Sequence, residues 1–279
     1  MKRFLLIPAG LIIWLSGSAQ YYYQDIYSTR QTDSDLVRYR DQHIRKMELV
    51  SQEPNGEQNT DFHCEKTFSE DYGVSLTTTQ SFETGLSVLT VYFTKNGHIT
   101  RSVDSTASSV STTLYEYDSL NRITALHFRS RSGKEADVFQ LDEDHLYQYD
   151  AAGHLVKMIR QENGKTSSTI LFKTDPAGRP VEEQESGAQA TGRNIYYKYD
   201  AAGRLTDVYR YIAARRKMLP DYIFSYDDQG RLSEMMVVSA DTDDYNDWKY
   251  SYDERGLIVK EACYGKKGVL KGTIQFHYQ

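Results

Sequence analysis

The residues most suggestive of chemistry are two acidic clusters, Asp142-Glu143-Asp144 and the run from Asp241 through Asp243 and Asp244 to Asp247. Calcium takes several carboxylate oxygens at once, so both are candidate cation sites. The second lacks the glycine at position six and the distal glutamate of a calcium loop. Both precede Tyr-x-Tyr patterns, so they are read as solvated connections, and no metal is assigned. His63 and Cys64 are adjacent rather than spaced on one face, and neither cysteine lies in a C-x-x-C pair, so zinc and redox chemistry are unsupported. No H-E-x-x-H, G-x-S-x-G, Walker or dinucleotide-binding glycine pattern occurs. No catalytic or cofactor-binding residue is therefore assigned, and the chain is read as a non-enzyme without cofactors. One binding candidate remains. Trp248, Tyr250 and Tyr252 could form a stacking platform for a glycan or partner protein if their face is exposed; the alternative is that Trp248 packs against a neighbouring hairpin.

A repeat must position all of these. An aromatic, any residue, an aromatic, Asp, two residues, Gly, a basic and an aliphatic residue recur along the chain. Full copies run Tyr147–Leu155, Tyr197–Leu205, Phe224–Leu232 and Tyr250–Ile258, the last with Leu257 at the basic position. Weaker ones run Tyr115–Ile123 and Phe172–Pro180, a degenerate one runs Phe93–Ile99, and Phe276–Tyr278 is half a copy. Alternating aromatic and polar residues have the period of a strand. Asp118, Asp150, Asp175, Asp200, Asp227 and Asp253 suit the first position of a type I turn. Gly153, Gly178, Gly203, Gly230 and Gly256 suit the left-handed bulge that follows, with Asn121 as the substitute. Each block is thus a β-hairpin in which, for example, Tyr199 pairs with Leu205. Folding explains Asp200 and Arg204 better than acid–base chemistry does. His98 and His154, at the basic position, are expected to be solvated turn residues, and Arg215-Arg216-Lys217 a solvated loop.

These blocks resemble the YD repeat of the RHS and teneurin families, over roughly residues 90–279. The resemblance implies hairpins joined edge to edge into a long, curved or spiralling antiparallel sheet, which in large members closes into a shell around cargo. This chain is far shorter and lacks the self-cleaving core signature that ends such shells. Asp175-Pro176-Ala177-Gly178 echoes part of that signature but falls in register with the other turns. Seven hairpins and a closing strand give about 15 strands and a strip about 70 Å long, too little for a sealed container. The expected fold is all-β, with residues 20–89 forming a polar leader and an irregular N-terminal β cap over the sheet edge. Within that stretch Tyr21–Asp35 is expected to be loose, Arg38–Leu49 a short helix or strand, and Phe62–Phe68, Val74–Thr79 and Leu86–Phe93 strands.

The start of the chain reads as an address. Met1-Lys2-Arg3, the apolar run Phe4–Leu15 and the small residues Ser16 to Ala19 have the layout of a secretory signal peptide, residues 1–19, cut before Gln20. The apolar run is well short of the roughly 20 residues of a spanning helix. The expected location is periplasmic, secreted or at the cell surface, with no stable membrane span afterwards. Cys64 and Cys263 would then meet an oxidising compartment, but in an open strip they stand far apart, so two free thiols are expected. The chain has 279 residues with a formal net charge of −6, which argues against nucleic acid as a partner. The repeat and the empty catalytic search put a scaffold or interaction protein of the envelope first, with an unidentified protein or carbohydrate partner. A glycan-binding surface comes second and a polysaccharide-acting enzyme last.

Overall fold

A computed structural model describes residues 21–82, 84–133, 139–188, 190, 194–212, 216–239 and 244–279. The expected signal peptide, Arg215, Asp241 and Asp243 lie outside them. After one π-helical turn, Tyr22–Tyr27, comes α1, Ser28–Asp41, and then eighteen strands. These are β1 Lys46–Gln52, β2 His63–Phe68, β3 Val74–Ser81, β4 Gly85–Phe93, β5 Ile99–Thr106, β6 Ser109–Tyr117, β7 Ile123–Ser132, β8 Phe139–Tyr149 and β9 Leu155–Glu162. The second half comprises β10 Lys165–Thr174, β11 Pro180–Ser186, β12 Asn194–Tyr199, β13 Leu205–Ile212, β14 Lys217–Tyr226, β15 Leu232–Val238, β16 Tyr245–Tyr252, β17 Ile258–Gly265 and β18 Val269–Tyr278.

Each repeat folds as its residues dictate. Gly203 N–H donates to the Asp200 carbonyl (3.0 Å) and Asp200 N–H to the Arg204 carbonyl (3.0 Å), closing a type I turn with a bulge. Asp200 Oδ1 accepts the Arg204 N–H (2.9 Å). Gly203 takes φ +82°, and Asn121, in the Asp118 turn, takes φ +59°, the left-handed region these two residue types tolerate best. The same backbone closure recurs at Asp118, Asp150, Asp175, Asp227 and Asp253. Tyr199 pairs with Leu205 as the pattern requires.

Every strand pairs antiparallel with the next, and β1 pairs with β18 from Met47↔Tyr278 to Gln52↔Thr273. The sheet is therefore a closed barrel, where a long curved or spiralling sheet making a strip or partial turn was expected. Closure removes both unpaired edges, which an irregular cap would otherwise have to cover. The strands tilt as closure requires: one row of register partners runs from Tyr278 through Met47, Lys66, Thr77, Leu89, Asp104, Ser111 and Ser130 to Leu141. It starts at the rim carrying the Asp turns and ends two residues from the opposite end of β8.

Residues 20–89 are corrected accordingly. Where described, they form no separate cap: β1 to β4 are staves of the barrel, and the stretch expected to be loose is helix. That helix lies inside the lumen, because it touches walls all round. Tyr22 meets Tyr197 edge to face at 5.2 Å, Tyr23 meets Tyr222 at 4.9 Å, and Tyr39 lies 5.6 Å from Phe68 and 6.3 Å from Tyr278. Eighteen strands at about 4.8 Å spacing give a perimeter of roughly 86 Å, too wide for side chains alone to fill. A helix supplies the missing core.

Both cysteines are free and buried, as expected, but for another reason. The ends of the sheet do meet; β18 and β1 stand between Cys263 and Cys64, putting about 14 Å of sheet between thiols that would need Cα atoms within about 7 Å.

Candidate functional site

Period two along β8 decides which acids reach the lumen. Tyr147 faces the core, so His145 and Glu143 do as well, while Asp142 and Asp144 face outward. The outward pair is engaged by the wall: Asp144 binds His127 Nδ1 (2.8 Å) and Arg129 (2.8 Å), and Arg129 Nε lies 3.8 Å from Asp142. The first acidic cluster is therefore split across the sheet, not gathered around a cation. Among the described residues no group of three or more His, Cys, Asp or Glu could hold a metal ion.

Inside, a charged network fastens the helix to the wall. Asp25 accepts from His145 Nδ1 (2.5 Å) and from the Tyr147 hydroxyl. His145 Nε2 pairs with Glu143 (2.8 Å), which also binds Arg160 (2.5 Å). Burial pushes His145 down, but Asp25 and Glu143 outweigh it and hold the imidazole charged up to about 9. Burial likewise pushes Glu143 up, and its bonds from His145 and Arg160 override this, bringing it down to about 2. On β11, Glu183 accepts the Tyr22 backbone N–H (2.7 Å) and the Tyr197 hydroxyl (2.6 Å), tying the first described turn of the helix to the wall. Burial raises its pKa to about 7, partly offset by these donors. Further along the helix, Asp33 binds His98 Nδ1 (3.0 Å) and accepts the Ile99 N–H (3.1 Å). His98 is thus a helix anchor, not a solvated turn residue.

The helix fills only part of the lumen. Between it and the wall from β17 and β18 through β1 to β8 lies a cavity of about 670 Å³, within the size range of small-molecule sites. Asp25, Ser28, Thr32 and Asp35 line it from the helix. Ser102, Ser111, Thr113 and Ser130 give the wall a hydroxyl surface, while Leu49, Val91, Ile99 and Leu126 supply an apolar one.

The aromatic platform is not formed. Trp248 is 4% exposed and belongs to the core, with Tyr250 packed against it. The second tyrosine of the four full repeats, Tyr149, Tyr199, Tyr226 and Tyr252, is held by a hydrogen bond to the preceding repeat. Tyr252 donates to the Leu232 carbonyl (2.6 Å), and Arg231 lies 4.5 Å from its ring centroid. The Asp turns hold their own arginines, as in Asp227–Arg231 at 2.7 Å.

Sequence reasoning missed Asp25, Glu143, His145 and Glu183. A parity count back from Tyr147 would have placed Glu143 and His145 inside. Nothing in Gln24, Asp25, Ser28 or Thr32 distinguishes a polar helix facing a polar chamber from a loose leader.

No family model and no curated protein matches this chain. Among solved structures, a porin-like protein from Bacteroides uniformis is 10% identical over 85% of this chain and 98% of that one, with a TM-score of 0.39. A TcdB2-TccC3-TEV structure is 12% identical over 75% of this chain and 14% of that one (TM-score 0.29), and a TcdB2-TccC3-Cdc42 structure 14% identical over 79% and 15% (TM-score 0.23). At such similarity neither fold nor function passes from them to this chain.

Proposed function

We propose that this chain is a non-enzymatic binding protein of the YD-repeat type, exported to the periplasm or cell surface, whose lumen chamber receives a small ligand. The observation that carries this reading is the state of His145. It is the histidine that lines the cavity, and both of its ring nitrogens are committed to carboxylates, so neither is free to take a proton from a substrate. What remains is a chamber with a polar and an apolar wall, the usual composition of a binding site. Exposed Glu116, Gln148, Lys173, Lys198 and Lys249 stud the outer wall, where a lipid-facing barrel carries an apolar band. This supports a barrel standing in water. The export reading rests on residues 1–19.

The test is a thermal-shift panel of saccharides, amphiphiles and small metabolites on the wild type and on Ser111→Trp, which fills the chamber. A ligand that raises the midpoint of the wild type alone supports the reading. Stabilisation retained in the variant, or none across the panel, contradicts it.

A further inference from the structure

We propose that the lumen cavity takes an amphipathic monoanion, with its anionic head on the Lys66 ammonium and its apolar body along the wall of Leu49, Val91, Ile99 and Leu126. This rests on the chamber being a binding site and names the class of its ligand.

The charges lining the cavity are nearly all accounted for. Asp25 and Glu143 are satisfied by His145, Tyr147 and Arg160. Asp35 is paired with Arg38 (3.0 Å) and Arg129 with Asp144 (2.8 Å). Glu261 also has an interaction partner. Lys66 differs. Its Nζ sits 5.3 Å from the Phe68 ring centroid and 5.8 Å from that of Tyr39. Among the described residues no carboxylate stands within 4.0 Å of it, and no hydrogen bond engages it. Its nearest salt-bridging neighbour along β2 is Glu65, which faces the other side of the sheet and binds Lys46 (2.6 Å).

Two aromatic rings give the half-buried ammonium partial compensation, but not the full negative charge with which a cation drawn out of water is ordinarily paired. Burial pushes the Lys66 pKa down, with Asp35 only partly opposing it; a bound anion would reverse that shift. The surroundings fix the rest of the ligand. Lys66 stands near the Asp-turn end, beside Phe68 and Tyr39, and the apolar side chains continue from it across β1, β4, β5 and β7. A neutral sugar would satisfy the hydroxyls of Ser102 and Ser111 but would leave the ammonium without a counter-charge. A dianion would bring one charge too many against Asp35 and Glu261.

Decanoate, decanol and decylamine, titrated calorimetrically into the whole protein, separate head from body. The expected result is that decanoate binds at least tenfold more tightly than decanol, that decylamine does not bind, and that Lys66→Met removes the preference while decanol binding stays within about twofold. Lys66→Arg should keep most of the preference. If Lys66→Met fails to fold, reductive ¹³C-methylation of the wild type gives a second readout: one lysine resonance titrates below the others and moves upward on addition of decanoate. Equal binding of decanoate and decanol, a preference that survives Lys66→Met, or an unmoved resonance overturns the proposal. Binding of saccharides instead, abolished by Ser111→Trp, would overturn the anionic ligand yet leave the chamber reading standing. No binding by any probe would sink both.

Discussion

Arg204 lies over the ring of Tyr226, 4.5 Å from its centroid, while the same guanidinium binds Asp200 of its own turn at 2.7 Å. The Tyr226 hydroxyl donates back to the Leu205 carbonyl (2.6 Å), beside that arginine. These two repeats are therefore fastened to each other by three residues that a single hairpin would not need. The arrangement recurs with Arg122–Tyr149, Arg179–Tyr199 and Arg231–Tyr252. The repeat is a grammar for joining hairpins side by side, as well as for turning each one.

Removing that fastening should cost stability without changing the fold. Tyr226→Phe loses one hydrogen bond and is expected to destabilise by about 1 kcal/mol. Arg204→Ala loses the ring contact and the turn pairing, again about 1 kcal/mol. In a double mutant the two effects should fall short of additive, because both act at one junction. Urea midpoints for the four proteins check this.

Gly203 makes a sharper demand. Its φ is +82°, and a Cβ there would stand 2.9 Å from Arg179 Nη1. Gly203→Val should cost about 1–3 kcal/mol, while Gly203→Asn, the residue type that occupies the Asp118 turn, should cost clearly less. Equal midpoints for the two variants in urea would show that the left-handed bulge is not what the position requires.

The helix anchor should make stability depend on pH in a defined window. His145 titrates at about 9 in the folded chain against an ordinary 6.5. Its contribution is fully present below 6.5 and is lost as pH rises through 9, on the order of 3 kcal/mol. Glu143, lowered from 4.5 to about 2, acts at the other end: its contribution is present above 4.5 and is lost as pH falls through 2. Glu183, raised from 4.5 to about 7, favours the folded state below 4.5 and loses that effect as pH rises through 7. Urea unfolding of the wild type should therefore weaken between pH 7 and 9, and His145→Gln should flatten that limb. An unchanged slope in the variant would remove His145 from the network.

Trp248 reports on the lumen. Buried at 4% exposure, it should emit blue-shifted fluorescence that stays constant when cell-wall or dietary polysaccharides are added. A red-shifted emission that moves with one of them would restore the surface platform that the packing removes.

How much of this was legible in the sequence follows from the range of the forces involved. Turns at Asp118 through Asp253, the Tyr199–Leu205 pairing and the left-handed glycines are set within nine residues, and the residues state them. Closure is not local. It depends on tilt accumulated over eighteen strands and on β1 meeting β18, and no residue of Met47–Gln52 or Thr273–Tyr278 announces its partner. The lumen helix was hidden for a related reason. Gln24, Asp25, Thr32 and Asp35 look solvated because they face a polar chamber, and Tyr21, Tyr22, Tyr23 and Tyr27 gave no period to set against a loose segment. Residues that carry chemistry, Asp25 with His145 and Glu183 with Tyr22, lie more than 100 positions apart and meet only once the barrel is closed.

Closure is the claim on which the chamber, the helix anchor and the ligand site all depend, and a cross-strand disulfide measures it. Glu48 and His277 are register partners on β1 and β18, and directly opposed residues on antiparallel strands lie about 4.5–5.5 Å apart, within disulfide reach. In Glu48→Cys/His277→Cys, with Cys64 and Cys263 replaced by alanine, mild oxidation should consume both thiols and give a single peptide pair linked through positions 48 and 277 by mass spectrometry. Two thiols that stay titratable in the folded monomer, or that link only between molecules, would mean that the sheet is an open strip.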